Sequence, residues 1–597
     1  MNAKYRAHDV IREDRADGSI LLRARDPLGP VAARTTDWLE TWATKTPDAV
    51  FLAQRSGAGW REVSYAQARD EARAIAGGLL DLGLTPDTPI LILSGNSVDH
   101  GLLALAAQYI GVPIVPVAEQ YALIPDARTQ IDFVASVVKP GAVYAEDGDA
   151  LADVLERDVF ASVHKLVSRG KGISLAELTK FGGAIDAANA LVTPETVAKI
   201  LMTSGSTSAP KGVPTTHKMM CVNQAQLAYS LPFLTTRPPV IVDWLPWNHV
   251  FGGSHNFNMM LANGGALYID GGKPAPHLVG KTFENQRLKS GTITFNVPLG
   301  FAMIRDELKK DADLRQRYFS ELDMLFYAGA SLAQDVWTDL EDMARDVRGD
   351  IPLFTSSWGL TETAPAVLLQ HQPTDRSGVI GVPMPSSDVK LIPDADMRCE
   401  VRVQGPNVFA GYLNNPEQTA EAFDEEGYFK TGDAMYFVDP DNPNMGLKFD
   451  GRISEEFKLN SGTWVRAAGL RLQVLAALGD LIADVIITGA DKADIGIFVV
   501  PSAGMRAAED AQDVNGALRV PSFETDLRAR LGNIGGSSST RIARTLILSE
   551  PLSMADGEVT AKGSVNFKKL LARRATLLDR LYDDADPATL LSRTPRT

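Results

Sequence analysis

Helix-period segments followed at once by short apolar runs recur along the first half of the chain, and this alternation restricts the fold more than any other feature. Ser64–Leu84 (SYAQARDEARAIAGGLLDLGL) carries apolar residues at helical spacing, and Pro89–Ser94 (PILILS) follows as a buried strand. Val98–Ile110 leads in the same way into Val112–Val117 (VPIVPV), and the order returns in residues 220–270 and 290–330. A layered α/β (mixed α+β) body is expected. From Pro383 the texture changes to short alternating runs, such as Val389–Ile392 and Glu400–Val403, with Gly and Pro turns between them. That pattern predicts a small, β-barrel-like unit. The turn-rich Val438–Gly446 and the Gly-Arg junction within Lys448–Lys458 place the main boundary near Arg452. Three parts follow: a large N-terminal domain over 1–451, a hinge at 452–454, and a smaller α/β domain over 455–597 that ends in the helical Asn566–Tyr582 and a loose tail.

A chain of 597 residues is long enough for two or more such units, each with a full core. No segment approaches the roughly 20 uninterrupted apolar residues of a membrane span. Met1–Asp17 is charged throughout and lacks a secretory pattern, so a cytoplasmic location is expected. Two cysteines, Cys221 and Cys399, are too few for a disulfide framework, and the eight histidines show no HExxH-like spacing. The formal charge of −15 argues against wholesale binding of nucleic acid or anionic membrane, although a local phosphate pocket is compatible with it.

The strongest local signal is Leu201–Gly212, LMTSGSTSAPKG, a hydroxyl- and glycine-rich loop after an apolar run. Thr203, Ser204, Ser206 and Thr207 can donate hydrogen bonds, Gly205 frees backbone N–H groups to turn inward, and Lys211 adds positive charge, as a polyphosphate requires. A Walker A loop is excluded, because Lys211 is followed by Gly212 and Val213 where that motif needs Ser or Thr.

This loop resembles the TSGSTGxPKG signature of the adenylate-forming superfamily, which includes acyl-CoA synthetases, luciferases and peptide-synthetase adenylation domains. Ser208 stands where the family usually has glycine. Further family motifs follow in order. WLPWNHVFGG (Trp244–Gly253) is similar to the histidine-containing segment, which implies His249 beside the nucleotide and carboxylate and Trp247 and Phe251 near the acyl pocket. FYAGAS (Phe326–Ser331) resembles the adenine-binding segment, with Gly329, Ala330 and Ser331 lining the base. SWGLTET (Ser357–Thr363) resembles YGxTE: Trp358 replaces the usual tyrosine beside Gly359, Thr361 would meet the α-phosphate and Glu362 would hold Mg²⁺. GYFKTGD (Gly427–Asp433) matches the ribose motif through Asp433, and Arg452 would approach the same ribose or phosphate.

The same resemblance implies a mobile C-terminal domain that serves two half-reactions. Ser454 occupies the hinge position that usually carries Asp or Lys. Lys458, Gly462 and Trp464 are similar to the segment bordering the thiol tunnel. DGEVTAKGSVNFKK (Asp556–Lys569) corresponds to the loop with the adenylation lysine, for which Lys562 is the choice and Lys568 and Lys569 stay open. WLPWNHVFGGSHNFN, GSSSTRIAR from Gly536 and DGEVTAKGS together look most like bacterial feruloyl-CoA synthetases. The implied substrates are ATP with Mg²⁺, an aryl or acyl carboxylate and coenzyme A, and a homodimer is admitted. A fatty-acyl ligase, transfer to a separate carrier protein, and a nucleotide sensor without turnover are the rival readings.

Overall fold

The computed structural model describes residues 5–179, 184–203, 210–329, 332–534, 536–553, 556–559 and 565–592. Its contacts divide the chain into two compact units. The first holds the chain up to Thr203, Pro210–Thr431 and Tyr436–Phe449; the second holds Gly432–Met435 and the chain from Asp450 onward. Positions 452–454, where the sequence leads one to expect a hinge, therefore lie just inside the second unit.

In the first unit, the sequence rhythm becomes a seven-stranded sheet. Its spatial order is Lys211–Thr216, Val197–Thr203, Ile114–Pro116, Ile90–Ile92, Ala142–Asp147, His164–Arg169 and Ile173–Ser174. The short strand Ile90–Ile92 pairs in parallel with both of its neighbours, and all three of its residues are buried. The helix Tyr65–Asp81 starts where Ser64 Oγ accepts from Gln67 N and Gln67 Oε1 accepts from Ser64 N, a reciprocal cap. Its Gly78 admits a close neighbour, since a Cβ there would stand 2.5 Å from the Leu178 carbonyl oxygen. In the helix Val98–Tyr109 every residue but Asp99 is buried, so this helix forms core and not surface. A four-stranded sheet, Val240–Asp243, Ala266–Ile269, Val50–Ser56 and Gly59–Ser64, completes this layer.

A third sheet has eleven strands. From one edge it runs Ile293–Asn296, Met324–Tyr327 and Leu353–Gly359 in parallel register, then turns antiparallel at Ala366–Leu369. It continues through Val379–Pro383, Leu447–Arg452, Phe429–Phe437, Cys399–Gln404, Asp388–Pro393, Ile20–Ala24 and Val10–Asp14. The barrel-like unit expected after Pro383 is thus a correction: these strands belong to an open sheet, with no closed barrel among the described residues. One reason is the polar opening of the chain, which supplies a hairpin whose second strand pairs with Asp388–Pro393, Leu22 facing Val389, on the edge that closure would need.

The second unit has a six-stranded sheet built on Ile482–Thr488, Ile495–Pro501 and Ile542–Leu548. Alternation along the strands sends Val485, Ile487, Ile497 and Val499 into one core with Leu470 and Leu527 of the helices Ala467–Leu478 and Pro521–Gly532. Ile486, Phe498 and Leu546 go into the other core, with Leu570 and Leu581.

Candidate active site

In the first unit, the strands Val197–Thr203 and Lys211–Thr216 pair antiparallel with Thr203 opposite Lys211, which sets the two ends of the predicted phosphate loop side by side. Ser204, Gly205, Ser206 and Thr207 of that loop lie outside the described residues, as do Ala330, Ser331 and Lys562.

Glu362 lies on a single 3₁₀ turn, Thr361–Thr363, directly after the strand that ends in Trp358 and Gly359. Trp358 is buried, Thr361 is half-buried, and a Cβ on Gly359 would overlap the Pro365 carbonyl oxygen at 1.8 Å, so only glycine fits there. The segment after the strand Cys399–Gln404 fastens this turn to the loop. Asn407 Nδ2 donates to the Thr363 carbonyl over 2.7 Å, Phe409 N to the Glu362 carbonyl over 2.8 Å, and Leu413 N to the Gly212 carbonyl over 2.9 Å. Between these anchors, Tyr412 donates its hydroxyl to Glu362 Oε1 over 3.0 Å and presents its ring to Lys211 Nζ, 4.6 Å from the centroid. One tyrosine therefore sets the distance between the cation and the carboxylate. Tyr412 escaped the sequence reading, because its partners lie 50 and 201 positions away and nothing in the surrounding VFAGYLNN sets it apart.

The second group surrounds a π-helical turn, Phe251–Asn256. Gly252 and Gly253 make that turn feasible: a Cβ on Gly253 would stand 2.1 Å from the Trp247 carbonyl oxygen, and one on Gly252 would stand 2.4 Å from that of Leu245. His249 is half-buried, and its Nδ1 accepts from Phe251 N over 3.3 Å. Trp247 is buried, with its ring edge-on to His100 and Phe257, each 5.0 Å away. Phe251 packs 5.7 Å from Phe326, the residue that opens the FYAGAS segment, and the backbone of Gly329 beyond it takes a positive φ of 91° that favours glycine. Lys199, on the strand that enters the phosphate loop, donates to the Gly253 carbonyl, and burial lowers its ammonium pKa to about 7. Asp243, buried at the head of this segment, is pushed up to about 7 by burial against the opposing bonds from Asn256 and the Leu245 amide.

In the second unit, Asp433 is buried, and Arg452 Nε lies 3.5 Å from its Oδ1. The Arg452 side chain is half exposed. Burial raises the nearby Glu455 carboxyl, and Arg452 opposes that shift. Lys458 and Trp464 face each other across a two-stranded ribbon, with Lys458 Nζ 4.7 Å from the indole centroid and Gly462 at φ 81° in the turn. Lys568 is exposed, and Lys569 is the third residue of the helix Phe567–Arg573, where its backbone N donates to the capping Asn566 Oδ1.

Comparison with known proteins places this arrangement in a family. The model of AMP-binding enzymes matches residues 39–413, and the chain belongs to that family. Luciferin 4-monooxygenase of Luciola mingrelica is 28% identical over 409 residues, 63% of this chain and 69% of that protein. 4-Coumarate–CoA ligase 4 of Arabidopsis thaliana is 27% identical over 407 residues, 65% of this chain and 68% of that protein. Among solved structures, an anthranilate CoA ligase in complex with anthranoyl-AMP superposes with a TM-score of 0.71 at 16% identity, over 92% of this chain and 99% of the other. That last likeness establishes a shared mixed α/β fold. No helix among the described residues is long and apolar enough to cross a membrane.

Proposed function

We propose that the protein is an AMP-forming acid–thiol ligase that converts an aromatic carboxylic acid of the hydroxycinnamate class to its coenzyme A thioester through an acyl-adenylate. The observation that carries this reading is Tyr412 holding Lys211 against its ring and Glu362 on its hydroxyl, beside the two ends of the phosphate loop. Membership of the AMP-binding family supports the nucleotide half, and likeness to 4-coumarate–CoA ligase supports the choice of acid.

In this mechanism the acid's carboxylate oxygen attacks the α-phosphorus of ATP while the bond to pyrophosphate breaks. Lys211 and the hydroxyls of the loop balance the charge that departs. The thiol sulfur then loses its proton and attacks the acyl carbon, and AMP leaves with the electrons of the acyl–oxygen bond. Trp358 and Gly329 receive the adenine, and Asp433 accepts from the ribose hydroxyls beside Arg452. Lys562 neutralises charge during adenylation, and rotation about 452–454 brings Lys458, Gly462 and Trp464 to the thiol.

A magnesium ion that arrives on nucleotide phosphates needs only one or two protein carboxylates. Glu362 meets that need: it is a largely buried hard-oxygen donor with one oxygen fixed by Tyr412, and no cluster of three or more His, Cys, Asp or Glu ligands exists among the described residues. The ion would screen the negative charge of the phosphates.

The test is pyrophosphate release with ATP and Mg²⁺ over ferulic, coumaric, caffeic, benzoic and medium-chain fatty acids, each with and without coenzyme A. Thioester formation with a hydroxycinnamate is expected. Release with fatty acids alone would replace the substrate class, and no release with any acid would return the chain to the nucleotide-sensor reading.

A further inference from the structure

The π-helical turn holds a buried acceptor that the proposed chemistry does not use. His255 is 1% exposed, and its ring is enclosed by Phe326 at 5.1 Å, Phe295 at 5.5 Å and Phe251 at 5.6 Å between centroids. Its Nδ1 lies 2.9 Å from Asn256 Oδ1. The orientation of that amide follows from its other end, where Asn256 Nδ2 donates to Asp243 Oδ2 over 2.9 Å. With its NH₂ donating to Asp243 Oδ2, Asn256 presents oxygen to the imidazole, which assigns the His255 proton to Nδ1. Nε2 is then a bare lone pair, and it has no hydrogen-bond partner among the described residues. Burial lowers the ring's pKa to about 4, which keeps it neutral near pH 7.

An unpartnered lone pair on an imidazole packed beside three phenyl rings suits an aromatic ring that bears a hydrogen-bond donor. A carboxylate, a ring ether or an alkyl chain cannot fill that role; an O–H can. We propose that His255 Nε2 accepts the hydrogen bond of a phenolic hydroxyl on the acid and thereby selects hydroxylated rings, with Asn256 and Asp243 fixing its tautomer. This inference rests on the aryl-acid reading above and adds to it the residue that reads the ring.

A site built to receive a hydroxyl penalises analogues that lack it by more than the lost contact area. For the wild-type protein, kcat/KM for coenzyme A thioester formation is expected to be about tenfold or more higher with 4-coumarate than with cinnamate or 4-methoxycinnamate. 4-Aminocinnamate, which also donates, should fall nearer to coumarate. His255→Phe should bring the coumarate-to-methoxycinnamate ratio to near one, and His255→Gln, which retains an acceptor, should preserve part of it. Melting temperature and circular dichroism report whether each variant folds; where His255→Phe does not, the wild-type donor series decides alone. Equal rates with donor and non-donor rings in the wild type, or an unchanged ratio in a folded His255→Phe variant, would overturn this inference and leave the aryl-acid reading standing. No turnover of any aryl acid would overturn both.

Discussion

Tyr412 donates its hydroxyl to the carboxylate of Glu362 over 3.0 Å, across 50 positions of sequence. The same ring faces Lys211, so two substitutions separate the contributions. Tyr412→Phe keeps the ring and removes a bond to a charged acceptor, of about 1.5–3 kcal/mol. Pyrophosphate release should fall by roughly tenfold or more. Tyr412→Leu should lower it further. Steady-state kinetics with varied ATP measures both, and equal rates in Tyr412→Phe and wild type would remove Tyr412 from the site.

Glu558 and Arg574 form a buried pair in the second unit, with Arg574 Nε and Nη2 donating over 2.7 and 2.8 Å. Burial alone would raise the Glu558 carboxyl, but bonds from Arg574, the Ser553 amide and Arg573 hold it at about 2. A carboxyl whose folded pKa is depressed adds stability above its unfolded pKa of 4.5 and loses it as pH falls toward about 2. Glu558→Gln should therefore lower the wild-type stability at pH 7 and matter little near pH 2. Breaking such a pair costs about 3–5 kcal/mol. Urea unfolding curves at both pH values provide the check.

Lys199 predicts a pH dependence of opposite origin. Its folded pKa of about 7 lies below the unfolded value of 10.5, so the unfolded chain binds the extra proton between those values and stability rises with pH across that window. Relative to Lys199→Met, which has no proton to lose, the wild type should gain as pH moves from 7 toward 10. Chemical denaturation of the two proteins in parallel isolates the difference, and a constant gap would contradict the burial of this ammonium.

Gly253→Ala should destabilise the first unit, because the new methyl meets the Trp247 carbonyl oxygen at 2.1 Å in the absence of a backbone shift. The cost expected for such overpacking is about 1–3 kcal/mol. A melting temperature equal to that of the wild type would show that the turn yields freely.

The layered core was legible where a single strand or helix buries its own residues. Tyr65–Asp81 and Ile90–Ile92 fall within the segments read as helix and strand from periodicity alone. Lys211 was singled out by the hydroxyl- and glycine-rich run it stands in, and Glu362 and Asp433 by runs that resemble family motifs; of these, the structure brings Lys211 and Glu362 to the two sides of Tyr412. Tyr412 and the chain from Asp243 through Asn256 to His255 were not, since their roles arise from partners brought near by folding or from the orientation of one amide. The barrel expectation failed for a related reason. Alternation reveals strands but not their neighbours, and the neighbour of Asp388–Pro393 comes from the opposite end of the unit.

That pairing has a consequence for biosynthesis. Arg23 and its partner Asp388 are separated by 365 residues. At about 5–20 residues per second, the first hairpin leaves the ribosome roughly 20–70 seconds before the strand that covers it. Throughout that interval Leu21 and Leu22, buried in the finished protein, have no native neighbour on that side. That hairpin is thus made well before the strand that covers it, and its apolar side waits on the completion of a distant part of the same sheet.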